Sequence, residues 1–231
     1  SFVCSSDLHY RLHDIHYTKA QQELLAQIES GPLRESTRDA LLGRRFRREY
    51  WVRGTRPLSR TEAAQRLRLQ RVVPAMSLRD VPVRVQGTIG ATALAADRLA
   101  AVFAVLDDAG GGAVELGRVL DRTGARGWDP NETLELVAML VGMRALYAAA
   151  PAPQVDAARP AALRLNDYLT GPHARRADIL TLASPVTGGG VPVTAAQQMM
   201  LAARRAAPQQ PETWAGQVWD AMQAEGQQRM K

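Results

Sequence analysis

The residues with the clearest capacity for chemistry are arginines that lie close together in the first third of the chain. Five of them and one tryptophan form the arginine cluster: Arg44, Arg45, Arg47, Arg48, Trp51 and Arg53. Guanidinium groups are permanently charged and can bind carboxylates or phosphates through two parallel hydrogen bonds. We therefore take this cluster as the candidate interaction surface. The simpler interpretation, that the arginines form a solvated face, stays open beside it.

The distribution of charge is the basis for considering an acidic partner for this region. Residues 1–80 contain 15 Lys and Arg against 9 Asp and Glu, whereas residues 81–231 contain 14 of each. The excess is concentrated between Arg34 and Arg71. Such a segment can attract an acidic protein, a nucleic acid or an anionic membrane surface.

Other residue types that could do chemistry are too sparse to define a site. Cys4, His9, His13 and His16 are the residue types of a metal site, but no second cysteine or known zinc spacing completes them. Cys4 also lacks an adjacent base of the kind that activates a nucleophile. We assign no catalytic residue and no metal ligand.

Two glycine-rich segments invite a cofactor hypothesis that their context does not support. Residues 105–112, VLDDAGGG, look like the loop with which methyltransferases hold their cofactor. That loop must follow a parallel strand, whereas the preceding residues have helical periodicity. We predict that Gly110 to Gly112 end a helix, that residues 187–192 form a turn, and that the chain contains no cofactor-binding residue.

The elements that position these residues begin with recognisable caps. Thr18, Ser59 and Thr194 each precede Gln or Glu by three residues, which predicts helices from Lys19, Arg60 and Ala195. Alternating or β-branched patterns predict strands over residues 49–53, 67–73 and 81–85. This pattern is typical of a small mixed α/β domain, which we place at residues 1–80 and expect to be incomplete at its N-terminus.

After Asp80 the pattern becomes mostly helical. Apolar spacing predicts one helix through Leu99 and Leu106 and a second over residues 113–122, and Asp129 is the expected cap of a third that ends near Gly142. A strand is predicted over residues 144–147. Three helices followed by a strand is the order of a winged helix. We expect an irregular link through the prolines of residues 151–160, and a last helix after Pro211.

The predicted third helix argues against DNA recognition. Its only charges are Glu132 and Glu135, so it would repel phosphate. A helix apolar on nearly all sides is instead expected to pack against its own domain and a neighbour. The fold class that follows is helix-rich α+β, with a winged-helix-like domain at residues 81–231.

Several parts of the chain resemble bacterial S-adenosylmethionine-dependent protein-lysine methyltransferases. Residues 2–8 and 18–30, the run RDALLGRRFRR of residues 38–48 and the strand at residues 51–53 are similar to the regulatory domain of those proteins. Residues 163–166 and 183–192 are similar to the end of their winged-helix C-terminal domain. The catalytic domain that precedes both in that family does not match any part of this chain.

The resemblance implies an accessory role in methylation. The expected partners are an N-terminal methyltransferase domain, which would bind S-adenosylmethionine, and a protein substrate; a homo-oligomer is left open. With one cysteine and no apolar stretch of membrane-spanning length, we expect a cytoplasmic protein. The alternative is a winged-helix nucleic-acid-binding or adaptor protein that uses the basic surface from Arg34 to Arg71.

Overall fold

The computed structural model describes residues 2–5, 13–45, 49–54, 56–171 and 181–229. The helices are α1 His13–His16, α2 Lys19–Gln27, α3 Gly31–Leu42, α4 Arg60–Arg68, α5 Ala96–Asp107, α6 Leu116–Gly124, α7 Pro130–Gly142, α8 Ala152–Leu169, α9 Ala195–Ala206 and α10 Pro211–Arg229. The strands are β1 Phe2–Ser5, β2 Glu49–Val52, β3 Arg71–Pro74, β4 Arg84–Gln86, β5 Ala91–Ala93, β6 Val114–Glu115, β7 Leu146–Ala149, β8 Thr181–Ser184 and β9 Gly189–Pro192. This confirms the helix-rich α+β class.

Hydroxyl caps begin three helices where the sequence predicts them. At α4, the backbone N–H of Glu62 donates to the Ser59 hydroxyl at 3.2 Å, and the Ser59 N–H donates back to the Glu62 carboxylate at 2.9 Å. Thr18 and Thr194 make the same reciprocal bonds at α2 and α9. These bonds satisfy backbone N–H groups that the first helical turn leaves without an intrahelical acceptor.

Contacts divide the chain into two units, Ser1–Ala149 and Ala150–Lys231. The boundary that the sequence predicts after Asp80 falls inside the first unit. The reason is that β3, which precedes that residue, is the central strand of an antiparallel sheet with the order β6-β3-β7. As a division between sequence families, residues 1–80 and 81–231 stay a prediction.

The core of the first unit is formed by helices packed on this sheet. The predicted apolar face of α5 is buried, with Val102 and Leu106 inaccessible to solvent. Helix α7 buries Leu136 and Leu140, and other apolar side chains of α7 are partly buried against the same core. The predicted packing of this helix against its own domain is therefore confirmed, whereas its contact with a neighbour stays a prediction.

The β4–β5 hairpin packs on the short helix α1. The Ile89 backbone N–H donates to the Ile15 carbonyl at 3.0 Å, and the Thr88 N–H donates to His16 Nδ1 at 3.2 Å. Gly87 lies so close to this segment that a Cβ atom there would stand 2.2 Å from the Ile15 carbonyl oxygen. The absence of a side chain at residue 87 is therefore a condition of this contact.

Several element predictions are wrong in type or bounds. Residues 114–115, predicted as helix, form β6, and the strand predicted over residues 81–85 begins only at Arg84. The strand predicted from Leu67 begins at Arg71, because α4 extends to Arg68 and the Ser59 cap favours helix over the alternating pattern. Residues 152–169 form α8 rather than an irregular link. Pro153 occupies the first turn, where no N–H bond is lost, and the helix continues through Pro160 despite the missing donor there.

The second unit contains two small assemblies. Helix α8 contacts the β8–β9 hairpin through Asn166, whose side chain accepts from the Ala183 N–H and donates to the Ala183 carbonyl, both at 2.8 Å. Helices α9 and α10 form an antiparallel pair that buries Met199 and Val218. The Trp214 indole N–H donates to the Ala207 carbonyl at 2.7 Å, which fixes the turn between the two helices.

None of the helices within the described residues combines the length and the apolar character needed to cross a membrane.

Candidate interaction surface

The first part of the arginine cluster follows α3. The helix ends at Gly43, whose φ of 62° lies in the left-handed region that favours glycine. The chain reverses there, so the Arg44 guanidinium returns to within 3.3 Å of Asp39 Oδ1 and its side chain is only 11% exposed. Arg45, the next residue, is exposed. Arg44 thus stabilises the end of its own helix.

The second part of the cluster lies on and after β2. Trp51 is opposite Val3 in the antiparallel β1–β2 pair, and Arg53 is exposed just beyond the strand. Arg47, Arg48 and the Trp51 side chain lie outside the described parts of the chain. Their action together with Arg45 and Arg53 as one binding surface stays a prediction.

The arginines of α3 are engaged locally. Arg38 forms an ion pair with Glu35 at 2.5 Å, one helical turn away. The Arg34 Nε donates to the Ile28 carbonyl at 2.8 Å. These contacts reduce the positive charge available to a partner, so this part of the basic segment is better explained by helix stabilisation.

A second basic surface, which the sequence does not predict, lies between α4 and α6. We call it the arginine groove; it is open, has a volume of about 420 Å³, and is lined by Arg68, Leu69, Glu115, Gly117, Arg118, Asp121 and Arg122. The Arg68 Nη2 donates to both oxygens of the Asp121 carboxylate, at 2.6 and 2.8 Å. Arg122 pairs with Asp108 at 3.0 Å.

Backbone contacts hold the two sides of the groove together. The Leu116 N–H donates to the Gln70 carbonyl at 2.8 Å, beside the β3–β6 pairing. A Cβ at Gly117 would lie 3.3 Å from the Arg68 carbonyl oxygen, so glycine allows α4 and α6 to approach closely. Sequence reasoning missed the groove because its sides are more than 40 residues apart. The available signal was a glycine in the first turn of an amphipathic helix.

Helix α4, like α3, has no buried residue. Its capping box therefore contributes a large part of what specifies the helix. The backbone N–H of Ser59, followed by the Ser59 hydroxyl, lowers the pKa of Glu62 by hydrogen bonding to its carboxylate. A helix that exposes nearly its whole circumference is available to a partner.

The remaining residues considered for chemistry have structural roles where the structure describes them. His16 is buried and bonded to Thr88, whereas His9 and the Cys4 side chain lie outside the described residues. In the described ranges no group of three metal-ligating side chains comes together. Gly110 and Gly111, with φ of 64° and 72°, follow the end of α5, which confirms the predicted helix terminator. The turn predicted over residues 187–192 is right only for residues 187–188, because Gly189–Pro192 form strand β9.

The elements β1, α2, α3 and β2 lie in a part of the chain that a family model matches. Residues 1–53 match the family model described as a predicted methyltransferase regulatory domain. This match supports a methyltransferase regulatory domain at the N-terminus of the chain. The arginine groove lies outside the matched residues.

Comparisons with a relative and with solved structures give less information about function than the family match does. The whole chain is 22% identical over 231 residues to an uncharacterized protein of the cyanobacterium Synechocystis, of which it covers 44%. The chain thus spans less than half the length of this relative. No solved structure matches the chain.

Proposed function

We propose that this chain is the regulatory and C-terminal portion of an S-adenosylmethionine-dependent protein methyltransferase, similar to the bacterial protein-lysine methyltransferases. In this role it positions a protein substrate or controls access to a catalytic domain. The observation that carries the proposal is the match of residues 1–53 to a methyltransferase regulatory domain. We place the enzyme in the cytoplasm and assign S-adenosylmethionine to the catalytic domain.

The sheet architecture supports an accessory role. Every strand pair in the described residues is antiparallel. Nucleotide-type cofactors in α/β enzymes bind at the carboxyl ends of a parallel sheet, beside a glycine-rich turn that opens a helix. The glycines at residues 110–112 instead follow a helix. This arrangement supports our assignment of cofactor binding to another domain.

The unit that contains α5, α6 and α7 supports a protein-binding rather than a DNA-binding role. We describe it as winged-helix-like, since three helices pack on a three-stranded antiparallel sheet. Its third helix, α7, exposes Glu135, while Glu132 pairs with Arg98 at 2.6 Å. An acidic face of this kind is unfavourable beside phosphate.

The first experiment measures cofactor binding by isothermal titration calorimetry of the 231-residue chain with S-adenosylmethionine and S-adenosylhomocysteine. We expect no heat of binding. Micromolar binding would contradict the accessory role and make this chain a methyltransferase in itself.

The second experiment tests regulation in the intact methyltransferase of which we propose this chain to be part. Deleting residues 44–53 is expected to lower the transfer of labelled methyl groups to protein substrate, because those residues lie in the regulatory match. A deletion of Thr187 and Gly188, in the turn between β8 and β9 and outside the regulatory match, is the control. Unchanged substrate binding and turnover after the first deletion would refute substrate positioning by this segment.

The alternative of a different class is a nucleic-acid-binding or adaptor protein that uses the basic surface from Arg34 to Arg71. The exposure of Arg60 and Arg66 on α4 favours it. It predicts duplex binding that weakens steeply as salt rises. Failure to detect duplex binding at low salt would exclude the nucleic-acid version.

A further inference from the structure

We propose that the arginine groove binds a short acidic, amphipathic protein segment, which presents an aliphatic side chain to Leu69 and a carboxylate to Arg118. This inference rests on the proposed role in handling a protein partner of a methyltransferase. It places the contact outside the regulatory match and outside the arginine cluster.

The arginines of the groove differ in whether they already form an ion pair within the chain. Among the described residues, Arg68 and Arg122 are held by the carboxylates of Asp121 and Asp108. Arg118 is exposed and takes part in no ion pair within the same part of the chain. Its guanidinium can therefore donate hydrogen bonds to a carboxylate of a partner without breaking an existing ion pair.

The groove also contains an apolar surface that its own chain leaves uncovered. Leu69 is 65% exposed, and Leu67 on the adjoining turn of α4 is 39% exposed. Gly117 adds no side chain to the floor, so an incoming aliphatic group can lie beside Leu69. An aliphatic contact with a charged group at its edge is the pattern of a protein–protein contact.

Charge selects the partner. Helices α4 and α6 together contain five arginines, against the carboxylates of Glu62 and Asp121 within them and of Asp108 and Glu115 beside them. The remaining positive charge attracts an acidic segment. A nucleic acid fits less well, because a phosphate backbone would leave the exposed aliphatic side chains of Leu67 and Leu69 uncovered. A small molecule would remain largely in solvent, since the side chains of Arg68 and Asp121 are 45% and 66% exposed.

The test uses the 231-residue chain and a fluorescein-labelled peptide of about 14 residues, with leucines at helical spacing flanked by glutamates. Fluorescence polarisation measures its affinity at low and at physiological salt. A scrambled peptide of the same composition and a version with lysine for glutamate are the peptide controls. We expect binding of the amphipathic acidic peptide only.

Matched variants locate the binding. Arg118→Glu and Leu69→Ser are each expected to weaken binding about tenfold, the effect of losing one good interface contact. Arg84→Glu and Val83→Ser change exposed residues of similar types at the β4–β5 hairpin and are expected to leave affinity unchanged. Because all four side chains are exposed, far-ultraviolet circular dichroism should show the same fold for each variant.

Several results would overturn the inference: no peptide binding, equal binding of the scrambled peptide, or binding that the groove variants do not change. A labelled DNA duplex that binds where the peptide does not, and that Arg118→Glu weakens, would overturn it in favour of nucleic acid. If the peptide binds in the groove but deletion of residues 44–53 leaves methyl transfer unchanged, substrate positioning by that segment is refuted and the groove inference stands. If the peptide does not bind in the groove but the deletion lowers methyl transfer, the groove inference is refuted and substrate positioning stands.

Discussion

Substitution of Gly87 by alanine is the sharpest test of how α1 is held on the β4–β5 hairpin. The new Cβ would stand 2.2 Å from the Ile15 carbonyl oxygen and 2.7 Å from the Ile15 carbonyl carbon and Cβ. Real Cβ atoms essentially never approach other atoms so closely, and a backbone carbonyl cannot rotate away as a flexible side chain can. The hairpin must therefore move off α1.

The size of the effect can be worked out from the contacts that this movement changes. Overpacking of a well-packed site costs about 1–3 kcal/mol. Weakening the 3.0 Å bond from the Ile89 N–H to the Ile15 carbonyl adds about 0.5–1.5 kcal/mol. Replacing glycine restrains the unfolded chain and offsets about 0.4–1 kcal/mol. We expect a net loss of about 0.5–4 kcal/mol from the free energy of unfolding of the first unit.

The same hairpin supplies a matched control. A Cβ atom at Gly90 would meet no atom within 4 Å beyond those of its neighbours in the chain, and Gly90 does not adopt a positive φ. Gly90→Ala should thus be neutral or stabilising by up to about 1 kcal/mol. Urea denaturation followed by circular dichroism gives the two free energies, and hydrogen exchange at the Ile89 amide reports the local bond. Equal stabilities for the two variants, with unchanged exchange, would refute the close packing of α1 on the hairpin.

Three further substitutions test local features. Glu62→Gln should retain the Ser59 capping box but remove its pH dependence. Because the pKa of Glu62 is lowered in the folded chain, the unsubstituted α4 should lose stability as the pH falls below the ordinary glutamate value of 4.5, and α4 of the variant should not. Circular dichroism measures the difference. Asn166→Ala removes both bonds to Ala183 and should cost about 1–3 kcal/mol in the unfolding of the second unit, measured by urea denaturation; no change would contradict those bonds. Pro160→Ala should raise the stability of α8, by up to about 3 kcal/mol, in the same assay, since alanine supplies the missing N–H donor and removes the ring; a lower stability would contradict an uninterrupted helix.

Predictions from the sequence succeed where the decisive interaction is local. The boxes at Thr18, Ser59 and Thr194 connect residues three apart, so the types of two residues are enough to locate the start of a helix. The glycines after α5 likewise allow the end of a helix to be located from the sequence, because the left-handed backbone conformation that ends many helices favours glycine. Neither inference requires knowledge of the rest of the fold.

Predictions fail where the decisive contact is distant. The central place of β3 depends on partners at residues 114–115 and 146–149, and a four-residue strand contains too little pattern to identify them. The three prolines Pro151, Pro153 and Pro160 suggest irregular structure, although packing on the β8–β9 hairpin supports helix α8. Local propensity is a weak guide when tertiary contacts oppose it.

The candidate surface shows both limits. The cluster of arginines is visible in the sequence, but the reversal at Gly43 that returns Arg44 to Asp39 is a three-dimensional effect. The arginine groove depends on the close approach of Arg68, at the end of α4, to Gly117 of α6, which is a contact between distant parts of the sequence. Charge counts show that a segment is basic; they do not show which guanidinium groups remain available to a partner.

The central position of β3 also has a consequence for the order of events during translation. The ribosome makes residues 71–74 about 70 residues before the last of their partner strands, so both edges of β3 stay open for several seconds at about 5–20 residues per second. Open strand edges can pair with other chains. The short length of β3 and its terminal Pro74, which has no N–H to donate, limit that hazard while the nascent chain waits. A ribosome-bound nascent chain should therefore acquire protease resistance only after residue 149 has left the exit tunnel.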